Sequence, residues 1–377
     1  MTTAHIFLNH FSGLTDPRQS TKILYPLNEM LLLCLCGVIA GADSFSGIVD
    51  YGEEKLDFLR TLLPYKQGIP AHDTLNDLFR ALDPKAFENC FTAWVRDLSG
   101  TIPGLVAIDG KTLRGSRDGP QQALHMVSAW AVAQHVVMGQ VRTAHKSNEI
   151  TAIPQLLEML VLKGAIVTID AMGCQKAIAA AIVNKDADYV LALKGNQKDL
   201  YDDVRTFFES EEGQALPALE TTDADHGRIE SRVYKISGEV QWLRERHPDW
   251  KGLQSIVMAG NRTTSASGDA PPECQTRFYI SSLEPDLDRI ASYVRGHWGI
   301  ENSLHWVLDV VMNEDACQIY RGDAPQILAC ARHMAQNMLR AETSRKASLR
   351  KKQQFAGMSS PYLEKVLDAG LAELASI

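Results

Sequence analysis

No Cys-x-x-Cys pair occurs among the seven cysteines of this chain, and only Cys34 and Cys36 lie close together. That argues against a paired-cysteine zinc site, and scattered free thiols fit a reducing compartment. No apolar run is long enough to cross a bilayer; the longest, Met30 to Ala42, reads as a core helix. Residues 1–13 lack the basic start and apolar stretch of a signal peptide, so the expected location is the cytoplasm. A Gly-x-Ser-x-Gly elbow and a Gly-x-x-x-x-Gly-Lys-Ser/Thr loop are both missing, as are internal repeats and low-complexity tracts. Net positive charge is missing too: the formal charge is −8 over 377 residues. A deficit of that size argues against a uniformly basic nucleic-acid binder but not against a local basic face. Lys111, Arg114 and Arg117 form one local concentration, and the stretch from Arg340 through Arg345, Lys346, Arg350, Lys351 and Lys352 forms another.

What is present begins with two short segments of one design. Leu105 to Ile108 and Ala165 to Ile169 are apolar, partly β-branched runs, each followed by an aspartate and then a small residue: Asp109-Gly110 and Asp170-Ala171. Such runs read as strands buried on both faces. A carboxylate closing a buried strand is hard to ionise unless something positive meets it. Two of them on one sheet could converge on a divalent cation. A third acid is offered by Glu301, where His297, Glu301, His305 and Asp309 recur every four residues beside Trp298 and Trp306. All-carboxylate ligands suit Mg²⁺ or Mn²⁺, and two such ions can serve an in-line displacement at phosphorus. In that arrangement Asp109 bridges the two ions, Asp170 holds one and Glu301 the other. Glu314 and Asp315 are rivals for the third acid. A His-x-x-x-Glu-x-x-x-His zinc site stays open, although this is not metalloprotease spacing.

Around these residues the pattern predicts an α/β chain. Residues 1–98 read as helical, a DNA-binding or assembly region: an apolar helix over 28–41, a helix through Ala81 capped by Asp73 or Thr74, and one opened by Pro84 through Leu98. From 99 to 222 strands dominate. A strand ending at Asp109 is followed by a hairpin, 126–134 and 136–143, that bends near His135. A helix over 148–162, started by Ser147 and Asn148, precedes the Asp170 strand. Then come a helix over 175–184, a strand over 189–193 and a helix over 197–210. Three antiparallel strands followed by strands alternating with helices is the order of a ribonuclease-H-like core. Residues 223–283 read as a β-rich insertion with strands at 229–237, 254–262 and 275–282 and a Ser/Gly/Pro-rich loop over 265–272. Helices resume over 284–342, running through Glu301, and a basic tail with a last helix near 362–374 fills 343–377.

Six motifs now stand together in order. They are Asp16-Pro17-Arg18, Ala107-Ile108-Asp109-Gly110-Lys111, Asp170-Ala171-Met172-Gly173-Cys174-Gln175, Ala192-Leu193-Lys194-Gly195-Asn196-Gln197, His226-Gly227-Arg228-Ile229-Glu230 and His297-Trp298-Gly299-Ile300-Glu301-Asn302. This set resembles the DDE-type insertion-sequence transposases of the ISAs-one branch, which includes the H-repeat-associated proteins. The resemblance runs from about residue 10 to 340. It implies a ribonuclease-H-like catalytic core with a β-rich insertion, and Mg²⁺-dependent cleavage at transposon ends with joining of the 3′ hydroxyl to target DNA. The family's three acids fall on Asp109, Asp170 and Glu301. The implied partners are terminal inverted repeats, target DNA and a second copy of the chain in a dimeric, nucleoid-associated complex. Candidate DNA contacts are Lys111, Arg114, Lys194, Arg228, Arg295 and His297. Related transposases carry a Tyr-x-x-Arg-x-x-x-Glu-x-x-x-x-x-x-Lys signature around the glutamate. Here Val294, His297 and Leu308 stand at its Tyr, Arg and Lys positions.

Overall fold

The protein, seen in a computed structural model, is described over residues 8–100, 102–117, 122–143, 149–225, 228–265 and 273–370. Nine strands form one mixed sheet: β1 (Gly104–Thr112), β2 (His125–Ala131), β3 (Val136–Thr143), β4 (Ala165–Ile169), β5 (Asp188–Leu193), β6 (Ala218–Asp225), β7 (Arg228–Ser237), β8 (Ser255–Ser265) and β9 (Glu273–Ser281). Their spatial order is β3-β2-β1-β4-β5-β9-β8-β7-β6. β1, β4 and β5 run parallel; β2 and β3 pair antiparallel on one side, and β9 opens an antiparallel meander on the other.

β2 and β4 are buried along their whole length, which fits runs that are apolar but for His125, Ser128 and Thr168. The β6–β9 end is different. Its outer residues, from Glu273 to Thr276 on β9 for example, are exposed, and its strands alternate polar with apolar. β6 was not expected from the sequence, because Ala218-Leu219-Glu220-Thr221-Thr222-Asp223-Ala224-Asp225 is polar and acidic; its pairing along its whole length with β7, from Arg228 to Lys235, makes it a strand.

The helix Ala324–Ala341 is buried from Ala324 to Leu339 although it contains Gln326, Arg332, His333, Gln336 and Asn337. Asn337 shows how one of these polar groups is accommodated. Its carboxamide accepts from Val137 N (2.9 Å) and donates to Val137 O (2.9 Å), replacing the missing neighbour of edge strand β3. On its other side this helix packs on Leu27–Ile39, whose residues are buried from Glu29 to Ile39. One hydrophobic core therefore runs from the N-terminal helices through β1–β5 to the C-terminal helix Ser360–Ala369.

Several local expectations need correction. The helix His72–Ala81 begins at Ala71 with no side-chain cap, so neither Asp73 nor Thr74 caps it; Asp73 lies in its first turn. Pro84 does open the next helix, capped by Asp83, whose Oδ1 accepts from Lys85 N and Ala86 N. The helix Leu349–Met358 was not foreseen. The basic C-terminal stretch does not form one face. Arg340 donates to Ser303 O, Arg345 stacks on Phe355, and Lys352 is buried against Glu342. The last helix ends at Ala369; Ser147, Asn148, most of the loop over 265–272 and residues 371–374 of the helix expected near 362–374 lie outside the described residues.

Candidate active site

β1 and β4 pair in parallel with Ile108 opposite Ile169, so Asp109 and Asp170 leave the paired stretch at the same level. The two chains then part. β4 ends, and Asp170 Oδ1 accepts from Met172 N (3.0 Å) and Gly173 N (3.4 Å), capping a tight turn. β1 does not end at Asp109, as the sequence suggested; it continues to Thr112 paired with β2 alone. Gly110 has a packing reason. A Cβ there would stand 2.4 Å from both Glu149 Oε1 and His125 Nε2, the buried pair that meets at 2.6 Å beneath the strand.

Glu301 arrives from a helix that is not continuous. The helix Leu287–His297 gives way to a turn at Trp298, and Glu301–His305 is a π-helical segment in which Trp306 N–H bonds to Glu301 O. Such π turns are rare and collect at functional sites. His305 Nδ1 stands 3.4 Å from Glu301 Oε2 and 3.6 Å from Asp109 Oδ2. One ligand atom from each of Asp109, Glu301 and His305 lies within 4.8 Å of the others, a spacing that could hold a metal ion. Asp170 lines the same cleft of about 330 Å³, together with Glu149, Lys194, Arg277 and His297.

The electrostatics follow from this crowding. Burial, with Glu301 and Asp170 nearby, raises the Asp109 carboxyl well above the usual carboxylate range, against the pull of His305 and the Gly110 N–H. Glu301 is held low, first by the His305 imidazole beside it. Burial lowers the His297 pKa, against the pull of Asp170 and Glu301, so its ring is neutral at pH 7. Its Nδ1 lies 3.0 Å from Thr168 Oγ1, which ties it to β4.

A second carboxylate cluster lies next to the first. Lys111 Nζ pairs with Asp309 (2.7 Å), Glu314 (2.9 Å) and Asp315 (3.2 Å), and Arg332 stands 3.7 Å from Glu314. Burial alone would lower the Lys111 pKa, but Glu314 and Asp309 outweigh it and raise it. Glu314 and Asp315, rivals for the third acid in the sequence, belong to this cluster. Lys111 is thus committed to carboxylates rather than presented to a ligand.

The other candidate contacts spread out. Arg114 is exposed and 3.3 Å from Asp315. Lys194 is exposed at the cleft. Arg295 is half-exposed, 3.8 Å from Asp223, and lines an adjoining groove of about 350 Å³ over β7–β9. Arg228 opens β7 opposite Asp225 and Ser265, while His226 and Gly227 of the same motif lie outside the described residues. Sequence reasoning missed Glu149 and Arg277. Arg277 lies 5.3 Å from the ring centre of the exposed Trp298 and lines both cleft and groove. Glu149 carries no local signal, since its role depends on a distant His125.

Comparison with known proteins places the chain. Residues 100–338 match the family described as Transposase DDE domain, and residues 8–95 match the family described as DDE_Tnp_1-associated. The chain belongs to the transposase DDE domain family. It is 41% identical over 366 residues to the H repeat-associated putative transposase YhhI of Escherichia coli K12, covering 96% of this chain and 97% of that one. It is 40% identical over 375 residues to the putative transposase YncI of Escherichia coli O157:H7, covering 97% and 95%. Among solved structures, a piggyBac transposase synaptic complex with hairpin DNA matches at 11% identity and TM-score 0.42, covering 94% of this chain and 75% of that one. No helix among the described residues is long and apolar enough to cross a membrane.

Proposed function

We propose that this chain is a DNA transposase that cuts at transposon ends and joins the freed 3′ hydroxyl to target DNA. The observation that carries the reading is the meeting of Asp109 with Glu301, beside Asp170, in one cleft of a chain from the DDE domain family. The order β3-β2-β1-β4-β5, three antiparallel strands and then parallel ones, supports a ribonuclease-H-like core. In this reading the β-rich stretch from about 223 to 283 is an insertion into that core, and the N-terminal helices serve DNA binding and assembly of a dimer.

Asp109, Asp170 and Glu301 would hold Mg²⁺ or Mn²⁺, in two ions, and the repulsion that Glu301 and Asp170 exert on the partly buried Asp109 carboxylate fits such a cation. Bound cations would activate the attacking oxygen and neutralise charge growing at phosphorus. The rest of the work falls to the chain. Asp170 is oriented by the Met172 and Gly173 N–H groups, which leaves its second oxygen for the cleft. Lys194 and Arg277 at the cleft wall supply phosphate contacts. Neutral His297, fixed on Thr168, positions a phosphate or sugar oxygen by hydrogen bonding rather than by charge.

The test uses terminal inverted-repeat DNA with Mg²⁺ or Mn²⁺, following end cleavage, 3′-hydroxyl joining and gel shift at fixed salt. Wild type should cut and join. Asp109→Asn should bind as wild type and cut at least about a thousandfold more slowly, because it keeps shape and loses charge. Cutting without joining would make the chain a nuclease instead, and normal cutting by the Asn variant would remove Asp109 from the active site.

A further inference from the structure

His305 is absent from the acid set read in the sequence, yet among the described residues it stands closer to Asp109 and Glu301 than any lysine or arginine does. We propose that His305 Nδ1 is a direct ligand of the cation held by Asp109 and Glu301, making a mixed nitrogen–oxygen site that favours Mn²⁺ over Mg²⁺. This rests on the cation-dependent reading above and adds a ligand and a metal preference to it.

Four observations carry it. First, the ring is 6% exposed, and its Nε2 has no hydrogen-bond partner among the described residues. A buried imidazole whose near polar atoms are two carboxylate oxygens has been brought there for them. Second, the separations of 3.4 and 3.6 Å are long for charge-assisted hydrogen bonds, which run about 2.7–2.9 Å. They suit neighbours around one ion: with ligand bonds of roughly 2.1 Å, adjacent octahedral ligands lie roughly 3 Å apart and opposite ones roughly 4 Å. Third, the π turn carries Glu301 and His305 toward Asp109 together. Fourth, Lys111, the cation two residues along β1, is committed to Asp309, Glu314 and Asp315, and among the described residues no lysine or arginine pairs with Asp109 or Glu301. Imidazole nitrogen binds first-row transition cations more readily than it binds hard Mg²⁺, hence the preference. His297, held through Nδ1 on Thr168, is not among the ligand atoms that meet within 4.8 Å.

The test is Mn²⁺ binding to the full chain without DNA, read by electron paramagnetic resonance in wild type, His305→Gln and Asp109→Asn. Wild type should show the coupling of a directly bound imidazole nitrogen, and protein grown on ¹⁵N-histidine should shift it. His305→Gln should lose that coupling and on the order of tenfold in Mn²⁺ affinity, with a smaller loss for Mg²⁺ measured by competition. Absence of the coupling in wild type, which needs no folded variant, overturns the ligand. So does its survival in His305→Gln, which would point to His297. In either case loss of Mn²⁺ by Asp109→Asn would leave the cation site standing. If Asp109→Asn binds Mn²⁺ like wild type, the cation site itself is wrong.

Discussion

Two groups of carboxylates join β1 to the segment after Glu301, and they are built oppositely. At Lys111 three acids, Asp309, Glu314 and Asp315, gather round one buried ammonium, with Arg332 behind Glu314. At Asp109, two residues earlier on the same strand, Glu301 and His305 close in while Asp170, Lys194 and Arg277 line the same cleft, and among the described residues no lysine or arginine pairs with Asp109 or Glu301. The first cluster carries its own cations, which makes it a fastening between strand and helix. The second lacks such a lysine or arginine partner, and in the reading proposed above it receives a cation from solution instead. Strand alternation helps: Asp109 and Lys111 lie on one face of β1, so the fastening holds the helix that delivers Glu301.

The comparison breaks most visibly at Lys111. Lys111→Met should destabilise the fold by about 3–5 kcal/mol in urea unfolding, because it leaves buried Glu314 without its nearest cation. Lys111→Arg should recover much of the loss. An unchanged midpoint in Lys111→Met would mean the cluster fastens nothing.

Glu88 sharpens the contrast from a third environment. Its Oε1 accepts from Gln326 Nε2 (2.9 Å) and Gln140 Nε2 (3.2 Å), so dipoles rather than cations face it, and burial pushes it up to about 7. An acid raised in the folded state binds its proton more tightly there than when unfolded. Its contribution is therefore favourable at low pH and is lost as pH rises between about 4.5 and about 7. Glu88→Gln should be the more stable protein at pH 8, by roughly 2 kcal/mol, and the gain should vanish near pH 4. A gain that did not depend on pH would contradict the assignment.

Smaller still is the effect of Asp109→Asn on stability without metal. Removing the most buried of these crowded carboxylates should leave the fold unharmed or raise stability by about 1 kcal/mol, the reverse of Lys111→Met. Smallest is Arg295→Ala. Stability should not change, while affinity for end DNA should fall modestly and the slope of log affinity against log salt should flatten by roughly one unit. An unchanged slope would place the DNA path away from the groove over β7–β9.

These contrasts also separate what the sequence displays from what it hides. Buried parallel strands announce themselves through continuous β-branched runs, so β1, β4 and β5 and the two aspartates that follow paired residues are legible from residue order alone. The helices around them are legible through periodicity, as at Lys176–Val183 and Lys198–Glu209. The polar strand β6 is not, because only its partner β7 makes it a strand. The π segment is hidden as well: a four-residue stripe of His297, Glu301, His305 and Asp309 looks like one helix face, yet a turn at Trp298 and the wider turn after it send His305 to Asp109 and Asp309 to Lys111. Charge position is the least legible. Lys111 follows Asp109 so closely in sequence that it reads as a ligand contact, and only the distant Glu314 shows where it goes. The Asp16-Pro17-Arg18 motif behaves alike, with Arg18 forked onto Asp16 and donating to Tyr25 O, a local structural device.

The central claim, that the Asp109 cluster awaits a cation which the Lys111 cluster does not need, is tested most directly by thermal unfolding of the full chain with and without Mn²⁺. A ligand present at a hundred times its dissociation constant stabilises by about 2.7 kcal/mol. Wild type and Lys111→Arg should therefore both rise by several degrees, while Asp109→Asn and Glu301→Gln should not move. An equal rise in Asp109→Asn and wild type would contradict the account.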